Sequence, residues 1–141
     1  RQNQKTMKRQ IKFRGKDRMT DKWVYGDLLA PITGCRIVNY TEEDNGSMKR
    51  ADYHYHDVLD DTVGQFTGLL DRNGKEIYEG DIIEIGFNED NVTTKYKCVV
   101  RWNDLNAGFV LYPQEQSEGP WHGWLMNNCI IIGNIHEQSK S

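Results

Sequence analysis

The stretch Val63-Gly64-Gln65-Phe66-Thr67-Gly68-Leu69-Leu70, followed by Asp71-Arg72-Asn73-Gly74 and then Lys75-Glu76-Ile77-Tyr78-Glu79-Gly80-Asp81-Ile82-Ile83, decides the fold class. A short run rich in apolar and β-forming residues is broken by Asn73-Gly74, a pair that supplies the positive φ angles of a tight hairpin turn. A second short run, Ile77-Tyr78, is broken in turn by Glu79-Gly80-Asp81 before Ile82, Ile83 and Ile85. Strands of this length separated by glycine-bearing bends are the mark of an antiparallel β protein.

The same punctuation continues on both sides. Downstream, a polar tip at Asn88 to Asn91 precedes a long strand from Val92 to Trp102. Along it Tyr96, Cys98 and Val100 share one face, and Lys95, Lys97, Val99 and Arg101 the other. Phe109 to Tyr112 and Cys129 to Ile135 are the last two strands, and Ile82, Ile85, Val100 and Ile131 are expected to meet in a common interior. Upstream, Ile11 and Phe13 alternate with Gln10, Lys12 and Arg14, and Trp23 to Leu29 follows a turn-rich segment. These form a first hairpin that Pro31 ends, because proline cannot donate to a ladder. Cys35 to Tyr40 is a third short strand.

Between these parts, Thr41 to Asp52 is almost wholly polar, with Met48 nearly its only apolar residue. Such a composition buries too little surface to order itself, so it reads as an exposed loop and the one boundary in the chain. The organisation expected is therefore a hairpin region over 7–40, a loop over 41–52 and a β body over 53–138, in one compact domain. No helical period of ten or more residues is convincing. The fold class is mainly β, a small barrel or sandwich of short antiparallel strands, with an SH3-like barrel as one form of it. The alternative is α+β, if Gly123 to Asn128 makes a helical turn.

Bulk properties bound the rest. With 141 residues, 37% hydrophobic and 28% charged, the chain has the size and composition of one folded domain. Its longest apolar runs, Phe109 to Tyr112 and Cys129 to Ile132, fall far short of the roughly 20 residues that cross a bilayer. A soluble protein inside the cell, with no membrane partner, is expected. Cys35, Cys98 and Cys129 lack the near neighbours of a zinc site and read as reduced thiols, two of them in β-branched runs. Met7-Lys8 looks like a natural start, and residues 1–6 are expected to be an expression remnant ahead of it.

The net charge of −3 hides an asymmetry. Through Arg18 there are eight basic side chains and one acidic, whereas the remainder holds ten basic and twenty acidic. A basic arm of this kind meets either an external polyanion or the acidic body of its own protein.

Several segments together resemble the YopX family of phage and prophage proteins. They are Ile11-Lys12-Phe13-Arg14; Gly64-Gln65-Phe66-Thr67-Gly68-Leu69 running into Asp71 to Ile82; Val99-Val100-Arg101-Trp102 with Gly108-Phe109; and Ile132-Gly133-Asn134-Ile135-His136-Glu137. The resemblance implies a mostly β fold, a phage or prophage origin and the cytoplasm of a bacterial host. It supplies no catalytic residues.

Three groups of side chains are candidate sites. His54 and His56, in Tyr53-His54-Tyr55-His56-Asp57, fall on one face of a strand, where two imidazoles can share an ion with a carboxylate from the following turn. The plainer reading is an exposed edge strand with aromatics on its reverse face, and four-ligand sites need more than this. Lys8, Arg9, Lys12 and Arg14 with Trp121 and Trp124 are the residues of a nucleic-acid interface, cations for phosphates and indoles for bases. The plainer reading makes the indoles a plug at one end of a barrel. Asp57, Asp60, Asp61, Asp71, Glu79, Asp81 and Glu84 could supply a hydrolase carboxylate pair or a Mg²⁺ site, yet turn chemistry explains Asp71 and Asp81 more simply. No cofactor is expected. The leading expectation is a non-enzymatic interaction module that assembles with itself or another protein through exposed β edges; nucleic-acid binding and metal-dependent catalysis are the alternatives.

Overall fold

The computed structural model describes residues 9–114, 121 and 129–137. Strands make up 65% of the described residues, and no α-helix occurs among them. The elements are β1 Phe13–Lys16, β2 Trp23–Leu29, β3 Arg36–Asp44, β4 Lys49–Asp57, a 3-10 turn at Asp60–Thr62, β5 Gly64–Leu70, β6 Glu76–Tyr78, β7 Asp81–Glu89, β8 Val92–Asn103, β9 Gly108–Pro113 and β10 Cys129–Asn134. The mainly β expectation holds. The strands pair antiparallel and neither sheet closes into a barrel, so the SH3-like form is not what the chain adopts. The helical turn considered at Gly123 to Asn128 lies outside the described residues.

The chain divides into two units, with the division at Gln65/Phe66 and not across residues 41–52. It falls inside β5, whose first two residues pair with β1 while Phe66 and Leu70 pair with β6.

In the first unit the order is β4-β3-β2-β1, flanked by the start of β5. β1 and β2 form the expected hairpin, Phe13 opposite Gly26 and Lys16 opposite Trp23. Gly26 is there because nothing larger fits: a Cβ at that position would stand 2.1 Å from the Val38 carbonyl oxygen. The residues after β4 fold back onto the end of β1. Leu59 N–H donates to the Lys16 carbonyl at 2.9 Å, Arg18 N–H donates to the Asp57 carbonyl at 2.9 Å, and Asp17 bridges Val58. Thr62 locks this corner, accepting Lys16 N–H at 2.9 Å and donating to the Leu59 carbonyl at 2.6 Å.

The polar segment 41–52 is exposed, as its composition implies, but it is not a loop. Thr41 to Asp44 pair with Lys49 to Asp52, extending β3 and β4 into one continuous ladder of nine residue pairs. Gly46, with φ of +87°, occupies the first central position of a two-residue turn closed by Asn45 N–H donating to the Met48 carbonyl at 3.2 Å. A ladder satisfies its own backbone groups, and cross-strand pairs such as Glu43 with Arg50 and Asp44 with Lys49 set opposite charges side by side. Order here comes from pairing rather than from burial.

The second unit is a two-layered packing. β7, β8, β9 and β10 form a sheet in the order β10-β7-β8-β9, and the β5–β6 hairpin lays Ile77 against its inner face. Ile83 and Ile85, Cys98 and Val100, Leu111, Cys129 and Ile77 are all buried in one cluster, with Ile131 packed at its margin. Of the four residues expected to meet, Ile85, Val100 and Ile131 do so. Ile82 does not, because successive strand residues face opposite ways: when Ile83 and Ile85 point inward, Ile82 and Glu84 point out. The division of β8 is as expected on the inner face, where Tyr96, Cys98 and Val100 stand together.

The turn after β5 also differs in detail from its expectation. Gly74 has φ of +80°, but Asn73 does not enter the positive region. Gly74 N–H donates to the Asp71 carbonyl at 2.9 Å and Asp71 N–H donates to the Lys75 carbonyl at 2.8 Å, which widens the bend to a three-residue loop with glycine in the left-handed position. The true two-residue turn of positive φ is Asp90-Asn91, at the tip between β7 and β8.

Candidate interaction surface

Period-two geometry sorts the β3–β4 ladder into two faces. Val38 lies opposite Tyr55 and Tyr40 opposite Tyr53, so these four side chains emerge on one side, and Asp27 opposite Val38 puts the odd-numbered residues of β2 there too. That side therefore carries Tyr25, Tyr40, Tyr53 and Tyr55, which are 46%, 51%, 60% and 58% exposed. The Tyr40 and Tyr53 rings stand 5.8 Å apart at a tilt of 54°. Trp23 belongs to the same face, half-buried beneath the Arg14 guanidinium at 4.5 Å and near the Lys16 ammonium at 5.8 Å.

On the reverse face, Asn39 lies opposite His54, Ile37 opposite His56, Thr41 opposite Asp52 and Glu43 opposite Arg50. The charges on this arm pair locally: Arg50 with Asp52 at 3.0 Å, and Arg36 with Asp57 at 3.0 Å. Neither ion pair is buried, and each contributes little to stability.

β4 ends the strand order of its sheet, and its only ladder partner among the described strands is β3. A residue's N–H and C=O point to the same side of a strand, and that side alternates along the chain. The Asp57 carbonyl points away from β3, since it accepts Arg18 N–H, while Val58 N–H turns back to the Cys35 carbonyl at 3.2 Å. Lys49, Ala51, Tyr53 and Tyr55 therefore direct their backbone groups along the open edge. Nine residues without proline make this a long edge by the usual measures.

His54 and His56 do share a face, as expected. His54 is exposed; His56 Nδ1 lies 3.3 Å from Asp17 Oδ2, at the corner where β4 meets β1. The Asp17 carboxyl is held below its ordinary value by the N–H groups of Met19 and Thr20, with His56 adding to them. Among the described residues no group of three His, Cys, Asp or Glu side chains is gathered into a ligand set.

The proposed nucleic-acid residues are dispersed in character. Arg14 is only 6% exposed, its guanidinium laid on Trp23 across the strand pair. Arg9 is exposed and Lys12 half-buried; Lys8 and Trp124 lie outside the described residues. Trp121 is half-buried and bridged to Leu111 by two backbone hydrogen bonds, of 2.8 and 3.1 Å. Its ring meets Tyr96 at 5.1 Å and Phe87 at 5.9 Å, both near edge-on. It is an aromatic packed on a core, close to the plug reading, in an open sheet rather than a barrel mouth.

Asp71 and Asp81 are turn locks. Asp71 Oδ1 accepts the N–H of Asn73 and of Lys75 at 2.9 Å each, and buried Asp81 accepts Tyr78 N–H at 2.7 Å. The three cysteines form no disulfide: Cys98 and Cys129 are buried and Cys35 half-buried. Burial pushes the Cys98 thiol up to about 11, far from reactive at neutral pH.

The β3–β4 arm is the feature that sequence reading missed. Asn45-Gly46, set between the alternating runs Arg36 to Thr41 and Asp52 to His56, is the signal that would have found it.

Residues 12–141 match the YopX protein family, nearly the whole chain. The chain belongs to the YopX family. Among solved structures, this YopX chain is similar to protein EF1440 from Enterococcus faecalis, at 18% identity and a TM-score of 0.55, over 92% of this chain and 95% of that one. At that identity the likeness speaks for the fold. A search of the curated proteins finds no match. No helix among the described residues is long and apolar enough to cross a membrane.

Proposed function

We propose that this YopX-family chain is a non-enzymatic protein-interaction module, encoded by a phage or prophage and acting in the bacterial cytoplasm, and that the β3–β4 arm is its docking surface. The observation that carries the reading is the arm itself, a paired ladder that leaves Tyr40, Tyr53 and Tyr55 in solvent beside an open edge. Tyrosine offers large, rigid contact area at low entropic cost, and clusters of exposed aromatics mark binding surfaces more often than they serve the folded monomer. Family membership supports the origin and the compartment through what YopX resemblance implies.

The test is to shorten the arm by joining Tyr40 to Tyr53 through an Asn-Gly turn. Circular dichroism and melting should report an intact β fold, while light scattering and in-cell crosslinking report loss of assembly. Crosslinks of the full chain should map to residues 40–55. A full chain that is monomeric and gives no crosslink in that span overturns the reading.

A further inference from the structure

Alternation places more than tyrosine on the aromatic face of the first unit. Cross-strand pairing adds Asp27 opposite Val38, Glu42 opposite Ala51, Asp44 opposite Lys49 and Arg36 opposite Asp57. Arg14 and Lys16, opposite Tyr25 and Trp23, belong to it as well.

The cations of this face are already engaged. Arg14 is buried on the Trp23 ring, Lys16 reaches Asp21 at 3.6 Å, Arg36 pairs with Asp57 at 3.0 Å, and Lys49 lies opposite Asp44. Asp27 and Glu42 are exposed, and neither forms an ion pair among the described residues. The charge left over is therefore negative. Both carboxylates stand beside exposed aromatics. Glu42 follows Tyr40 by two residues, about 7 Å along the strand, and its cross-strand neighbour Ala51 is too small to cover it. The Tyr40 and Tyr53 rings, 5.8 Å apart, thus adjoin an open carboxylate. Asp27 lies across Val38 from Tyr55.

We propose that the partner of this surface is an extended segment of another protein bearing arginine, its guanidinium groups stacked on the tyrosines and paired with Asp27 and Glu42. This rests on the arm being a docking surface and adds the chemistry of what docks there. A guanidinium suits both halves of the surface, since its plane stacks on an aromatic ring while its N–H groups donate to a carboxylate. The same face already makes the first of these contacts internally, with the Arg14 guanidinium 4.5 Å from the Trp23 ring centroid. Spacing narrows the partner further. Asp27 stands level with Val38, four residues before Glu42 on β3, so the carboxylates are about 13–14 Å apart along the strands, the reach of residues i and i+4 in an extended chain. Two arginines at that spacing meet both carboxylates, and the side chain midway between them falls over Tyr40.

Other occupants match the charges poorly. Phosphates would meet Asp27 and Glu42 with like charge, and the cations that could offset this are held elsewhere. A second copy of the face would bring the same two carboxylates with it.

The probe is a blocked peptide, Arg-Thr-Val-Thr-Arg, titrated into the full chain at low salt and followed by nuclear magnetic resonance. Shifts should saturate at Tyr40, Tyr53 and Tyr55, and binding should weaken as salt is added. Glutamate in place of both arginines should abolish binding; lysine in their place, or the two arginines set side by side, should weaken it. Glu42→Gln and Asp27→Asn should each weaken it by at least about fivefold with melting unchanged, as loss of a hydrogen bond between charged groups does. Binding untouched by both substitutions overturns the proposal, as does tighter binding of the glutamate peptide or of oligothymidylate to this face. If the arginine peptide fails to bind while crosslinks of the full chain still fall within residues 40–55, the docking surface stands and its cationic partner is refuted. If those crosslinks are absent as well, both readings fall.

Discussion

Asp71 and Ile131, 60 residues apart, are joined by a hydrogen bond of 3.0 Å from the Ile131 N–H to the Asp71 carboxylate. The same carboxylate holds Asn73 and Lys75, so one side chain both shapes the bend after β5 and fastens β10 beside β7.

Replacing Asp71 by alanine removes the acceptor for three N–H groups and should cost about 3 kcal/mol, read from urea midpoints. Burial alone would raise this carboxyl, but the N–H groups of Ile131, Lys75 and Asn73 outweigh it and leave it below its ordinary value. A carboxyl depressed in the folded state lends stability that is fully present above its unfolded value, near about 4, and is lost as pH falls through the folded one. The gap between parent and variant should therefore narrow below about pH 4.

Gly26→Ala should destabilise the first unit by about 2–4 kcal/mol, since its methyl would collide with the Val38 carbonyl, an atom of backbone that cannot rotate away. Hydrogen exchange checks this locally: protection should fall first in β2 and β3.

Thiol titration should show one cysteine reacting readily in the native protein and three in denaturant. Cys35 is the accessible one, although burial and Asp60 raise its thiol above the usual value; Cys98 and Cys129 are shielded in the core. Alkylation followed by mass spectrometry distinguishes them.

Arg14→Ala should lower the melting temperature by several degrees, because it removes the guanidinium that covers Trp23. If the basic N-terminal segment nonetheless binds nucleic acid, binding must weaken steeply with salt, and Arg9→Ala should reduce it without affecting melting.

Much of this fold can be read in advance, and the reasons differ by element. β7 and β8 are legible because a buried face imposes strict alternation, visible in Ile83, Ile85, Cys98 and Val100. Hydrophobicity alone places Ile82 in the interior, where parity with Ile85 already forbids a shared face. The β3–β4 arm is illegible from composition, because pairing rather than burial holds it, and composition reports burial. The candidate surface follows the same rule. Tyr53 and Tyr55 were visible as exposed aromatics, but Tyr25 and Tyr40 joined them only once register fixed which residues stand side by side.

The placement of β10 has a consequence for how this protein is made. Cys129 completes the cluster around Ile83 and Ile85 from the flank opposite β8. A nascent chain that has not yet released Cys129 from the ribosome must hold those isoleucines open to water on that side. Synthesis stalled or cut short at that point should yield a sticky fragment, cleared by proteases or bound by chaperones.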